Sequence, residues 1–494
     1  MRISQNMIYG QALRQMGSSL GDLTRLNLMN ASQKRINAPS DDPAGMALTL
    51  DLRSTLASAE RWQRNIDQAQ GWVGLADAQL TQASGIISTL LEKAEQGATG
   101  TITNDQRLVI AGEVRGLFEQ LVGIANTEFT GQSIFAGHKT RGNAYEQCLW
   151  ATPLDDDLSA SDVVAVEGAS DTSLLLRFDE DGVVGTDELS YRFSADGGAT
   201  WKTGLLASNS TTLTMGGARL TLASGAAVRG AAGEDEGTTV MVRPGARYLG
   251  DDDKSLAVTN YGAANIDASA SGTFSGNVSV RIDGDSTLAG PIAYSYSLDG
   301  GTSWVAGNTA SNGMLVLPGG VLSLASNGSN TLDAGDSFTL RPATADITVA
   351  IGKGQSLAVN NVGSEIFGGL TRDPVTGLDS LALDSGNLFE AVGELVGFLE
   401  TGNQDGVSAS LDALKAAQEV LLARAGEVGA RLNRLSAQEA SLASVTASAE
   451  AHLSRVEDAD MSALTVDLAR AEYIYQAVLK SQAKIISMSL LDYI

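Results

Sequence analysis

The chain has 494 residues, about three domains' worth, with 33 Lys+Arg against 58 Asp+Glu and a formal net charge of −25. Hydrophobic residues make up 43%, ample for sizeable cores, so wholesale disorder is excluded. No Lys/Arg cluster supplies the basic face of a nucleic-acid binder. The single cysteine, Cys148, excludes an intrachain disulfide, and two histidines, His138 and His452, cannot assemble a His-rich metal centre.

No run approaches the ~18 apolar residues of a membrane span. The opening Met1-Arg2-Ile3-Ser4-Gln5-Asn6 lacks the apolar stretch of a secretory signal. The chain is therefore expected either to stay in the cytoplasm or to leave it uncleaved. Charge divides by block: residues 1–141 are neutral, 142–372 carry −15 and 373–494 carry −10. Glycine concentrates in the middle block, with 33 of 55.

Both ends read as long helices. Tyr9, Leu13, Met16, Leu20 and Leu23 recur at steps of three and four. Lys34 to Gly45 then reads as a helix stop, a Pro-constrained turn and a fresh start with Ser/Asp caps before Pro43. Ile66, Ala69, Val73, Ala76, Leu80, Ala83, Ile87 and Leu90 make a sustained seam. After a turn at Gly97 to Thr103 and a cap candidate at Asn104-Asp105, Ala111, Val114, Phe118, Leu121 and Ala125 make another.

The middle reads as β. Leu189, Tyr191 and Phe193 alternate with polar residues before an Asp196-Gly197-Gly198 turn toward Trp201. The same arrangement returns at Tyr294, Asp299-Gly300-Gly301 and Trp304. Arg177-Phe178-Asp179 also matches Arg281-Ile282-Asp283, and Gly216-Gly217 matches Gly319-Gly320. Turn residues, strand aromatics and spacing repeat together, so two similar β domains in tandem are expected.

The last block returns to seams. Leu421, Ala425, Val428, Leu432 and Leu435 lead through Glu439, Leu442, Thr446, Ala449, Leu453 and Val456. Leu464, Leu468, Ala471, Tyr475, Val478 and Ile485 close the series. A two-in-seven stripe is narrower than the face a globular helix buries and suits helices packed in a rod. An ordinary antiparallel bundle is the alternative for residues 50–130 and 415–455.

Catalysis has no candidate residues, and no HExxH, GxSxG or P-loop pattern occurs. The acidic clusters at 155–157, 179–181, 234–236 and 251–253 lack calcium-loop spacing and read as solvated turns. His138 and His452 read as surface residues and Cys148 as a small filler. No cofactor and no metal are expected.

The run Lys34-Arg35-Ile36-Asn37-Ala38-Pro39-Ser40-Asp41-Asp42-Pro43 resembles the signature of the flagellin superfamily. It is followed by Arg64-Asn65, and Leu453 to Met461, with Arg455, Asp458 and Asp460, is similar to the matching C-terminal signature. Ser133 to Thr140 (with Phe135 and Gly137), Tyr248-Leu249-Gly250-Asp251, Gly363 to Gly368 and Ser489 to Ile494 resemble the hook-associated branch rather than flagellin itself.

The seams, the internal duplication and the resemblance together lead to an expected α+β multidomain chain, a long helical coiled-coil or bundle rod from both termini with two tandem small β domains inserted. Residues 1–40 with 455–494 would form the assembly core, and 41–141 with 373–454 a helical bundle domain. Residues 142–255 and 256–372 would be the β domains. The resemblance further implies a structural, non-enzymatic protein of the bacterial flagellum, exported uncleaved and located outside the cell at the hook–filament junction. Hook-associated protein 1, flagellin, other copies in a helical ring and an export chaperone are the implied partners, with no nucleic acid and no membrane insertion. Flagellin, a secreted adhesin or glycan-binding β protein, and a β-domain hydrolase are the competing readings.

Overall fold

The computed structural model describes residues 5–231, 237–252, 256–262, 265–272, 274, 276–342, 345–372, 378–383 and 385–491. It is α+β, with helices toward both ends and β-sheets between them. Contacts divide the chain into two units. One comprises Met1–Asp67, Ala350–Gln355 and Arg434–Ile494; the other comprises Gln68–Val349 and Ser356–Asn433.

The first unit contains α1 (Gln5–Ser32), the start of α2 (Pro43–Ala98), the end of α5 (Gln404–Glu457) and α6 (Met461–Leu491). α1 stops where Gln33 takes a left-handed φ of +57°. Pro39 and Pro43 then bar an immediate restart. α2 starts at Pro43, whose missing N–H costs nothing in a first turn, and Asp42 Oδ1 accepts the Gly45 N–H at 2.9 Å. On α5, Leu435, Leu442 and Ala449 are buried, and Glu439, which interrupts the apolar seam, accepts from Gln63 at 3.4 Å.

In the second unit the rest of α2 buries one stripe, with Ala69, Val73, Ala76, Leu80, Ala83, Ile87 and Leu90 at most 1% exposed. α3 (Asn104–Ala125) buries Ala111, Val114, Phe118, Leu121 and Ala125. Its cap is Thr103, one residue ahead of the Asn104-Asp105 candidate. The Thr103 hydroxyl accepts from the Gln106 N–H while the Gln106 side chain reaches back, a reciprocal box that two adjacent polar residues obscured. α4 (Leu388–Thr401) carries the cap Asn387, whose Oδ1 accepts the Glu390 N–H at 3.1 Å, and ends at Gly402, φ +69°.

α4 lies on the strand Thr239–Tyr248. A Cβ at Gly393 would stand 2.3 Å from the Pro244 carbonyl oxygen, and one at Gly397 2.6 Å from the Met241 sulfur. Glycine is therefore what allows helix and strand to meet. Arg243, fully buried on this strand, pairs with Glu390 and donates to Thr152 Oγ1 at 2.8 Å.

The duplication is realised strand for strand. In the first β domain Tyr145–Pro153, Thr239–Tyr248, Leu174–Phe178, Leu189–Ser194 and Lys202–Leu206 are neighbours in that order. Val163–Gly168, Ala218–Leu222 and Thr212–Met215 form a second sheet. The second domain repeats this with Ala257–Tyr261, Ser337–Arg341, Val278–Ile282, Ile292–Ser297 and Val305–Ala310, then Ile266–Gly272, Gly320–Ser326 and Met314–Leu317. Each domain buries its own apolar cluster.

The hairpins match in detail. Asp196 accepts from Thr200 N–H at 2.8 Å and Ser194 Oγ at 2.7 Å; Asp299 accepts from Ser303 N–H at 2.9 Å and Ser297 Oγ at 2.7 Å. Arg177 and Arg281 lie over the rings of Trp201 and Trp304 at 4.9 and 4.6 Å. The Tyr191 and Tyr294 hydroxyls donate to the carbonyls of Thr214 and Val316.

Candidate assembly interface

The two signature runs close on each other within the first unit. Arg35 N–H donates to Glu457 O at 2.6 Å, Ala459 N–H to Gln33 O at 3.0 Å, and the Arg35 guanidinium to Val456 O at 2.8 Å. Asn37 Nδ2 donates to Lys34 O at 2.9 Å. Asp41 accepts the N–H groups of Ala38 and Asn37 at 2.8 and 3.0 Å. Those two donors, Ala38 first, hold its carboxyl below the usual range. Asp460 Oδ1 accepts from Ser462 and Ala463 and so caps α6. Pro39, Arg455 and Asp458 are exposed there.

Glu457 is the residue at this corner that the pattern of types did not single out. Its side chain is 4% exposed, takes Lys34 Nζ at 2.6 Å and also pairs with Arg53. The adjacent Lys34-Arg35 pair facing an acidic helix end was the available signal. Asn65 lies elsewhere in the same unit, donating to Ala350 O at 2.8 Å. Phe135 and Gly137 belong to the other unit.

In that unit three motif segments meet. Gly363 N–H and the Tyr248 hydroxyl both donate to Phe135 O, at 2.7 and 3.1 Å. The Phe135 ring stands edge-on to Phe367 at 5.1 Å. Gly137 has φ +59°, and a Cβ there would fall 1.9 Å from the Asp251 carbonyl oxygen. Phe135 is fully buried.

The terminal helices pack as a pair. On α6, Leu464 is buried and Leu468, Ala471, Tyr475 and Val478 are half-buried, one continuous stripe. On α1, Met16 and Leu23 are half-buried, whereas Leu13 and Leu20 are 60% and 47% exposed. The α1 series thus splits between a face turned inward and a face in solvent. Tyr9 and Ile485 lie in these helices, but their side chains are outside the described set. Exposed apolar groups also include Leu28 on α1 and Val466, Tyr473 and Ile474 on α6.

Beside this corner is a groove of about 400 Å³. Leu26, Met29, Ile36 and Leu464 give it an apolar floor, and Asp41, Asp42, Asp460 and Asp467 line it with Arg25 and Arg35. A smaller hollow of about 220 Å³ in the second unit borders Cys148. Burial pushes that thiol up to about 11, leaving it protonated and unreactive at neutral pH.

Among the described residues no group of His, Cys, Asp and Glu could hold a metal ion, and no helix is long and apolar enough to cross a membrane. Asp157 binds Arg229 at 2.7 Å and Asp179 binds Arg192 at 3.2 Å. Glu234-Asp235-Glu236, Asp253 and Asp492 to Ile494 lie outside the described residues. His138 and His452 are exposed.

Residues 3–140 match the family model for the bacterial flagellin N-terminal helical region. The particular resemblance is to flagellar hook-associated protein 3. The protein of that name from Salmonella typhimurium is 31% identical over 148 residues, 30% of this chain and 47% of that one. Flagellin B of Helicobacter pylori is 35% identical over 125 residues, 25% of this chain and 23% of that one. The crystal structure of flagellar hook associated protein-3 from Legionella pneumophila overlays on 82% of this chain and 98% of that chain, at 14% identity and a TM-score of 0.31. The match to the Salmonella protein spans about half of its length.

Proposed function

We propose that this chain is a structural, non-enzymatic component of the bacterial flagellum that joins the hook to the filament. The observation that carries the reading is the pair α1 and α6. The two signature runs close it at one end, and it leaves Leu13, Leu20, Val466 and Tyr473 in solvent. Such surfaces are finished by other subunits. Head-to-tail contacts between them would build an open helical assembly rather than a closed dimer.

Residues 1–40 with 455–494 act as the assembly core, 41–141 with 373–454 as its bundle, and 142–255 and 256–372 as decoration. The partners are hook-associated protein 1 on one side, flagellin on the other and further copies alongside, all outside the cell. An export chaperone holds the C-terminal seam, Leu464 to Ile485, before uncleaved export. Likeness to hook-associated protein 3 over 148 residues supports this reading.

The second reading, flagellin itself, draws on the 35% identity to flagellin B. Seeding separates the two. Flagellin monomers should extend hooks only after the purified chain has been added, and the chain alone should form no long filaments, only short oligomers. Long filaments of the chain by itself would replace the first reading by the second.

A further inference from the structure

We propose that a second copy of this chain seats its Tyr473 in the groove beside the start of α6; this rests on reading the terminal helices as assembly elements. Val466, Arg470, Tyr473, Ala477 and Lys480 recur on α6 at steps of four and three, and all are exposed. They form one stripe on the side opposite Leu464, Leu468, Ala471, Tyr475 and Val478. Tyr473, 75% exposed, is its centre.

The groove offers what that stripe lacks. Its floor is apolar and its lining holds four carboxylates against two guanidinium groups, Arg25 and Arg35, an excess of two negative charges, whereas the tyrosine is flanked along its face by Arg470 and Lys480. In a chain of net charge −25, copies repel over most of their surface. A base-flanked knob meeting an acid-lined hole is a local exception. An aromatic anchor in a fitted pocket is also the kind of contact that dominates interface energies.

The occupant is another copy because one helix supplies both parts. Asp460, which caps α6, and Ala463, Leu464 and Asp467 on it line the groove, and Tyr473 points from the far side of the same helix. Knob and hole are different surfaces, so the contact is heterologous and repeats without closing.

Full-length chains carrying Cys148→Ser and one new thiol, either Met29→Cys or Tyr473→Cys, test this after mixing under mild oxidation. The crossed product should exceed each like pair by about tenfold, and both thiols in one chain should give a ladder. Like pairs at Tyr473, or no excess of the crossed product, overturn the proposal. In sedimentation, Tyr473→Ala should weaken self-association by about tenfold or more, and Tyr473→Phe should retain it. Equal loss in both variants also counts against the proposal. A thiol pair that fails to cross, in a chain that still restores filaments to a deletion strain, removes the groove contact and leaves the junction reading standing.

Discussion

Glu457 sits between Lys34 and Arg53 with only 4% of its side chain exposed, while those cations are 42% and 45% exposed. Removing its charge leaves two half-solvated cations rather than a buried orphan, so the cost is below that of a fully buried pair. Glu457→Gln should lower stability by about 1–3 kcal/mol, read by denaturant unfolding. Asp196 and Asp299 titrate at about 2, held down first by the Thr200 and Ser303 side chains. A depressed carboxylate contributes stability that is present above its ordinary pKa and lost as pH falls toward the folded value. The hairpins should therefore loosen between about pH 4 and pH 2, and Asp196→Asn with Asp299→Asn should flatten that part of the pH profile. An unchanged profile would contradict the assignment. Both aspartates were legible as turn residues because the turn is written twice; Glu457 was not, since nothing local distinguishes it from the exposed Asp458.

At the scale of elements, the seams of α2 and α3 were legible because each buries one stripe of a regular repeat, and the α6 series shows the same stripe, half-buried, as far as Val478. α4 was not. Its residues Leu388–Leu399 are buried except Glu390 and Glu394, and those two, four apart on one face, were the signal of its period that went unread. The α1 series was half legible: a repeat of apolar residues marks a seam but does not say which members face the same chain. Glycine separates packing from freedom in these helices. Gly393→Val should cost about 2–4 kcal/mol by forcing α4 off the strand Thr239–Tyr248. Gly112→Ala, with nothing within 4 Å of its added Cβ, should gain about 0.5–1 kcal/mol. Thermal unfolding of both variants checks the pair, and equal effects would deny the close approach.

Across the whole molecule, charge and burial distinguish the N-terminal helices from the β domains. The neutral first block supplies α1 and α2, whereas the duplicated β domains lie within a block of −15. Each β domain has its own core, but α1 and α6 each bury only one stripe. That stripe offsets little of the ordering cost. Amides of residues 10–30 and 465–484 in the monomer should therefore exchange at least about a hundredfold faster than those of residues 66–90 and 388–399. Equal protection would mean that the terminal pair is complete without partners.

The central claim is the junction role, and removal of the gene from its own bacterium tests it most directly. Electron microscopy of the cells, with an assay of the medium for flagellin, is the measurement. The account predicts hooks without filaments and flagellin monomers shed into the medium. Cells that keep normal filaments would contradict it.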